Sequence, residues 1–488
     1  MHALRLAATV WFAAAATALP QESGEGKATA KVSKEVVVVQ DVDVESAPLT
    51  AAGDNHGALQ TFIDSLPEGT TVTLPAGVWP IHATLEIKKR VTLAAAAGRP
   101  ATVKLVANNQ DADVVRVGRY GKSAVSGVTF RGLTFECSGL RDRGQMQCIE
   151  VSGDDFTAEN CTWIGSPHEG LVVHGVYRGA KIVDCTAVSC GFGNAFYGLP
   201  LAGFNSHSVD GLYLRCKARN CGQGFELGAH GTRALYCEVD NDPLVRMFDD
   251  APMWGGFNIG SYTFGVWNVE IGHCRTKGGK ACSFGNGNGR LANVWVHDCI
   301  FHGDVSTPAA GGLYANKGGP VPNPNPESGR SVVERCVYIL TGTNHHAFGV
   351  NTGLTASQGE ETSREIIEFN DNVVIYNGPP PGPDAPNTSP ILYVAGRQKK
   401  VAFRRNKLIG FDEAPLRGDF QTFTVHANPS VIDELIFEDN IVVKSDGSFR
   451  ELVKKIEAPP ANQSGIRANT PRKPAAAAAA PPAATRSM

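Results

Sequence analysis

"AKIVDC" (Ala180–Cys185) has a pattern that returns along the chain in other letters: "FTAENC" ending at Cys161, "VEIGHC" at Cys274, "VWVHDC" at Cys299 and "SVVERC" at Cys336. Beyond Cys336 the frame ends in Asn instead, in "IEFNDN" (Asn372), "VAFRRN" (Asn406) and "LIFEDN" (Asn440). Each copy is a short alternating apolar run, which reads as a half-buried strand, then two residues, then Cys or Asn. Cys137, Cys216 and Cys237 fit more loosely and bring the markers to eleven, spaced 21 to 37 residues apart. The shortest spacing suits one coil of a β-solenoid with three strands, and the longer ones suit coils with loops. Stacked coils repeat at about the 4.8 Å strand spacing, so the markers would form one column. Cys tolerates burial, and Asn can hydrogen-bond the next Asn up the stack.

The column bears on a second pattern. "DCTAVSCGFG" (Asp184–Gly193) and "RCKARNCGQG" (Arg215–Gly224) each hold a C-x4-C pair, 31 residues apart. Four thiolates could bind zinc, but Cys185 and Cys216 already belong to the column. They are expected to be buried, metal-free and one strand spacing apart. Cys190 and Cys221 lie off it. Equivalent positions on adjacent coils fall within disulfide range, yet parallel in-register side chains point the same way. The repeat therefore allows a Cys190–Cys221 bond without requiring it.

A further period precedes the markers: "CIEVSG" (Cys148–Gly153), "GLVVHG" (Gly170–Gly175), "GFELGA" (Gly224–Ala229), "GFNIGS" (Gly256–Ser261), "ACSFGN" (Ala281–Asn286) and "GLYANK" (Gly312–Lys317). By strand alternation, Ile149/Val151, Leu171/Val173, Phe225/Leu227, Phe257/Ile259, Cys282/Phe284 and Leu313/Ala315 point inward. Two outward columns remain: Glu150, Val172, Glu226, Asn258, Ser283, Tyr314, and Ser152, His174, Gly228, Gly260, Gly285, Asn316.

The 488 residues carry 45 basic and 48 acidic side chains, which is no basic footprint for nucleic acid. Arg5, the apolar run Leu6–Leu19 and Ala16-Thr17-Ala18 read as an export signal over residues 1–18. The run is too short to span a membrane, and no later stretch qualifies, so a soluble secreted or periplasmic protein is expected. Residues 19–53 read as a leader with one Val-rich strand at Val36–Val39. Residues 54–100 read as a cap with the first coils, 101–456 as the solenoid, and 457–488 as a disordered Pro/Ala-rich tail. In the cap, Ala58, Leu59, Phe62, Ile63 and Leu66 recur at helical spacing, and Pro67-Glu68-Gly69 stops the helix. The twelve Cys permit disulfides after export, but a chain this long can bury a core without them.

The unit G-φ-x-φ-x-G followed by φ-x-φ-x-x-[N/C] resembles the right-handed parallel β-helix of the pectin-lyase-like superfamily, over about residues 54–445. The helix followed by "TVTLPAG" (Thr71–Gly77) resembles that superfamily's N-terminal cap. The resemblance implies an all-β fold of about eleven coils with a helix-containing cap. It also implies a site on the outward face of one parallel sheet, between loops, acting on polysaccharide.

Glu226 and His174 stand on the two outward columns, and the Gly run in the second would let a sugar chain approach closely. The loop "DNDPLVRMFDDAPMWGG" (Asp240–Gly256) would bring Asp249 or Asp250 beside Glu226 as an acid/base pair. Arg246 could pair with a uronate and Trp254 could stack on a ring. Tyr197, Asn258, Tyr314 and Lys317 complete the substrate-binding candidates. The plainer reading of the loop is a polar turn region rich in Asp. "SPHEG" (Ser166–Gly170) is similar to the D-P-H-E stretch of mannuronan C5-epimerases, with Ser166 in place of its Asp. Its plainer reading is a turn into the next strand. The polygalacturonase pattern is not met: Asp249-Asp250 and "GAHG" (Gly228–Gly231) occur in reverse order, and "RTK" (Arg275–Lys277) follows a marker Cys. No metal site is assigned, and Ca2+ enters only if the reaction is an elimination.

The resulting expectation is a secreted, monomeric enzyme that cleaves an extended polysaccharide by hydrolysis or β-elimination, with Glu226, Asp249, Asp250 and His174 as catalytic groups. The alternatives are a uronate C5-epimerase using His168 or His174, and a polysaccharide- or surface-binding β-helix without catalysis. The scaffold hosts all three.

Overall fold

The computed structural model describes residues 41–43, 49–50, 53–96, 98–106, 113–137, 146–175, 177–191, 201–242, 245, 255–260, 266–278, 280–284, 291–303, 312–313, 329–340, 348–351, 363–377, 392–395, 398–410, 423–426, 432–443, 447–451 and 454–457. Residues 1–18, read as an export signal, Val36–Val39 and the chain beyond Glu457 lie outside these residues.

The chain folds as a right-handed parallel β-helix. Among the described residues its strands form three sheets of 14, 14 and 13 strands. The chain visits the first, second and third sheet in turn, so each strand pairs in parallel with its counterpart one coil away, as in Thr157–Glu159 with Lys181–Val183 and Thr162–Ile164 with Thr186–Val188. Short alternating apolar runs suit this arrangement, because one face of every strand is buried inside the coil. Phe204, Phe225 and Phe257 stack inward on successive coils, with ring centroids 4.7 and 4.9 Å apart.

The two ends are closed by different devices. Helix α1 (His56–Ser65) buries Leu59 and Ile63 at the N-terminal end, as the helical spacing predicts. From it, Gln60 donates to the Glu86 carbonyl at 2.9 Å and accepts from the Glu86 amide at 2.8 Å. The side-chain amide thus completes the open edge of the third sheet, which is otherwise a template for pairing with another chain. At the other end Phe449–Glu451 turns back antiparallel on Ile441–Val443 and covers the second sheet.

Ten of the eleven markers form one column at the corner between the first and second sheets, from Cys161 to Asn440. The column explains how Cys and Asn interchange. The Cys161 amide donates to Cys185 Sγ, Cys237 to Cys274 Sγ and Cys274 to Cys299 Sγ, each at 3.4 Å. The Cys336 and Asn372 amides donate instead to Asn372 Oδ1 and Asn406 Oδ1, at 3.0 Å. From Cys185 to Asn440 the marker side chains also donate to a carbonyl on the coil below, as Cys185 does to Ala158 and Asn406 to Phe369. Cys185 and Cys216 are fully buried on neighbouring coils, as expected. Cys190 and Cys221 are free thiols.

Cys137 is a correction. It ends the second-sheet strand Leu133–Cys137, at the next corner, with Sγ 3.7 Å from Cys148 Sγ. On that coil Gly132 and Leu133 hold the marker corner. Among the described residues the third sheet has thirteen strands where about eleven coils were expected, because the earliest coils have no Cys or Asn at this corner.

The residue before each marker of the column is left-handed: Asn160, Asp184, Arg215, Tyr236, His273, Asp298, Arg335, Asp371, Arg405 and Asp439 all have φ between 52 and 58°. These side chains project at the corner and pair between coils. Asp184–Arg215, Asp298–Arg335 and Asp371–Arg405 are bidentate ion pairs, and Tyr236 stacks on His273. Exposed pairs of this kind are screened by solvent and contribute little, so they fix register more than stability.

At the opposite corner the backbone packs more tightly. A Cβ on Gly153 would lie 1.9 Å from the Val125 carbonyl oxygen. Gly153→Ala is therefore expected to lower stability by roughly 3 kcal/mol, read as a reduced denaturation midpoint. An unchanged midpoint would show that this corner yields.

Candidate functional site

Because Phe204, Phe225 and Phe257 point inward, the residues between them face out. The register on the third sheet runs Glu86, Arg116, Glu150, Val172, Asn205, Glu226, Asn258, Ser283. Between Glu150 and Ser283, Asn205 is the member absent from the sequence-derived column. Its strand, Ala202–Ser206, enters between those of Val172 and Glu226. Ser283 pairs with Gly312.

Glu226 faces away from the core yet is only 8% exposed, and no described residue hydrogen-bonds its carboxyl. Burial, and then the charge of Glu169, push its pKa up to about 8. Glu169 lies two residues before the strand Leu171–Val173, in the turn read from sequence as "SPHEG", and is buried. Burial disfavours its charge, but His168 Nδ1 at 2.5 Å and Asn205 Nδ2 at 2.6 Å outweigh that and hold its pKa below the usual carboxylate range. Burial likewise opposes a proton on His168, and the Glu169 charge overcomes it, so the His168 pKa is raised. The result is a neutral carboxylic acid beside an ionised carboxylate, with Asn205 between them.

His207 lines the same face and is kept neutral by burial, its pKa lowered. It fits because residue 228 is glycine: a Cβ there would lie 2.4 Å from His207 Nδ1. Gly228 therefore makes room for a neighbouring ring rather than leaving an open floor for substrate.

A second cluster occupies the preceding coils. Arg116 bonds Glu150 Oε2 and Asp113 Oδ2, both at 2.6 Å, and Glu86 Oε1 at 3.3 Å. Burial and the neighbouring Glu150 push Asp113 up to about 8 despite Arg116. Burial also disfavours charge on Glu150, but bonds from His174, Asp113 and Arg116 hold it down at about 2. His174 Nε2 sits 2.8 Å from Glu150 Oε1, and its ring stacks on Tyr120 with centroids 4.4 Å apart.

Glu226, His174 and Asn258 thus share the expected face, but His174, two coils from Glu226, is bound to Glu150. Asp249, Asp250, Arg246, Trp254, Tyr197, Tyr314 and Lys317 lie outside the described residues. The loop bearing the two Asp rejoins the sheet at Gly255, the first residue of the strand next to that of Glu226. Asn205, His207, Asp113 and Arg116 were not singled out from sequence, and Glu169 entered only within the "SPHEG" resemblance. Among the described residues, three potential metal ligands come within 4.8 Å of one another only at His273, His297 and Asp298. They lie at the marker corner, where Arg335 engages both Asp298 oxygens.

No protein-family model matches the chain, and no curated protein matches it. Solved structures do. PfbA, a surface adhesin of Streptococcus pneumoniae, aligns at 10% identity and a TM-score of 0.51, over 86% of this chain and 90% of its own. The tailspike protein of E. coli bacteriophage HK620, solved in complex with a pentasaccharide, aligns at 12% identity and a TM-score of 0.51, over 81% and 78%. These similarities show a shared parallel β-helix.

Proposed function

We propose that the protein is a carbohydrate-active enzyme that hydrolyses glycosidic bonds of an extended glycan, with Glu226 as general acid and Glu169 as the partner carboxylate. The observation that carries this reading is the divergence of the two carboxyls, one protonated near neutral pH and one ionised, on the same face. Such a division of roles is what glycoside hydrolysis requires. Glu226 gives its proton to the leaving-group oxygen as the bond to the anomeric carbon breaks. Water supplies the new hydroxyl at that carbon, and its proton passes to the carboxylate. Five coil steps from Arg116 to Asn258 give about 24 Å of polar face, long enough for several sugar rings. The tailspike's complex with a pentasaccharide supports a glycan as the ligand of this scaffold. Asp249 and Asp250 are proposed as further acids at the same strand edge, Arg246, Trp254, Tyr197, Tyr314 and Lys317 as substrate contacts, and export as the protein's route.

The test is product analysis on a panel of neutral and acidic polysaccharides. The expected result is new reducing ends without the absorbance of an unsaturated uronide, lost in Glu226→Gln. Unsaturated ends would establish elimination, inverted uronate centres without cleavage would establish epimerisation, and binding without any product would leave a lectin-like β-helix.

A further inference from the structure

We propose that this face takes a neutral, hydroxyl-rich glycan rather than a polyuronate, an inference that rests on Glu226 and Glu169 being the reacting pair. The strongest observation is the orientation of Asn205. Its Nδ2 donates to Glu169 Oε1 at 2.6 Å, and an ionised carboxylate can only accept, so the amide cannot be turned around. Asn205 Oδ1 is therefore fixed as the outstanding atom, and it is buried with no hydrogen-bond partner. It stands in register with Glu226, one coil away. Gln223, on the strand of Glu226, likewise has a buried Oε1 without a donor. A buried acceptor left unmet costs about 1–3 kcal/mol, and such atoms in a folded protein call for a group that meets them. Any sugar ring can meet these atoms through a hydroxyl donor, but the carboxylate that a uronate ring adds brings only another acceptor.

Charge points the same way. Glu169 is ionised at this face, so a substrate carboxylate placed beside it meets repulsion in a poorly solvated setting. Recognition of a uronate needs a cation to offset that repulsion. Among the described residues of this face, Arg116 is already engaged by Glu86, Asp113 and Glu150, Arg119 by Glu86, and His168 by Glu169.

The experiment is calorimetric titration of the full-length Glu226→Gln protein with two sets of hexasaccharides. One set holds glucose, galactose, mannose and N-acetylglucosamine oligomers, and the other galacturonate, glucuronate and mannuronate oligomers. Reducing-end release by the wild-type protein is measured on both sets in parallel. The expected result is binding within the neutral set at least 10-fold tighter than to any uronate oligomer. Asn205→Leu and, independently, Gln223→Leu should each weaken that binding by about 10-fold. Uronate binding as tight as neutral binding, or no neutral binding, overturns the inference. Wild-type cleavage of a uronate oligomer alone would overturn it while leaving the acid-pair reading intact. Neutral binding without wild-type cleavage would uphold the inference and sink the acid-pair reading.

Discussion

Glu226→Gln is expected to reduce turnover about 1,000-fold and, at the same time, to make the protein more stable at neutral pH. The first effect is the loss of a general acid, which contributes typically 10²–10⁴-fold. The second follows from the raised pKa. The folded-state value of about 8 lies above the ordinary 4.5. The stability contribution of this carboxyl is therefore fully present below pH 4.5 and is lost as pH rises towards 8. Each pH unit in that window costs about 1.4 kcal/mol, so at pH 7 the wild type bears a penalty on the order of 3 kcal/mol that an uncharged Gln does not. Wild type and variant should unfold alike near pH 4 and diverge steadily up to pH 8. Denaturant titrations at several pH values measure this directly. A Gln variant that is less stable at pH 7 would assign Glu226 a structural bond instead. Strain of this kind, retained at a functional position, is a common cost of activity.

The second large effect concerns the Asn column. Asn406 accepts from the Asn372 amide and from Asn372 Nδ2, both at 3.0 Å, and donates to the Phe369 carbonyl at 3.0 Å and to Asn440 Oδ1 at 2.9 Å. All of these groups are interior. Asn406→Ala leaves the Asn372 donors and the Phe369 carbonyl unmet, at about 1–3 kcal/mol each, so a loss of roughly 4 kcal/mol is expected. Asn406→Cys is expected to cost only about 1 kcal/mol, because a thiol can accept the Asn372 amide and donate to Phe369, as Cys185 does on its own coil. In a solenoid the damage stays local, so hydrogen exchange at Asn372 and Val373 is the sensitive readout. Equal damage from Ala and Cys would show that packing, not hydrogen bonding, maintains the column.

These two predictions draw on very different depths of sequence information. The column was readable because every marker follows an alternating strand at a fixed offset, and such periodicity survives exchange of Cys for Asn. The left-handed residue just before it was not, since Asp184, Arg215, Tyr236 and His273 share a backbone angle and no side-chain chemistry. Cys137 misled because it also follows an alternating strand, but in the second sheet. The strand of Asn205 escaped because Ser206 fills the inward place that Leu227 holds on the next coil, which breaks the G-φ-x-φ frame. Glu169 escaped because it precedes its strand, in a turn that spacing alone renders ordinary. Glu226 was legible by alternation, and the Asp249–Asp250 loop, from which a partner carboxyl was expected, lies outside the described residues. The chemistry of the face depends on which coils lie side by side, and loop lengths hide that from a linear reading.

The central claim is that Glu226 holds its proton near neutrality because it is buried beside the charge of Glu169. Its most direct test is the carboxyl titration of Glu226, followed by 13C NMR with labelled Glu in the wild type and in Glu169→Gln. The account predicts a midpoint at about 8 in the wild type and a lower one when the Glu169 charge is removed. A wild-type midpoint near the ordinary 4.5, unmoved by Glu169→Gln, would contradict it.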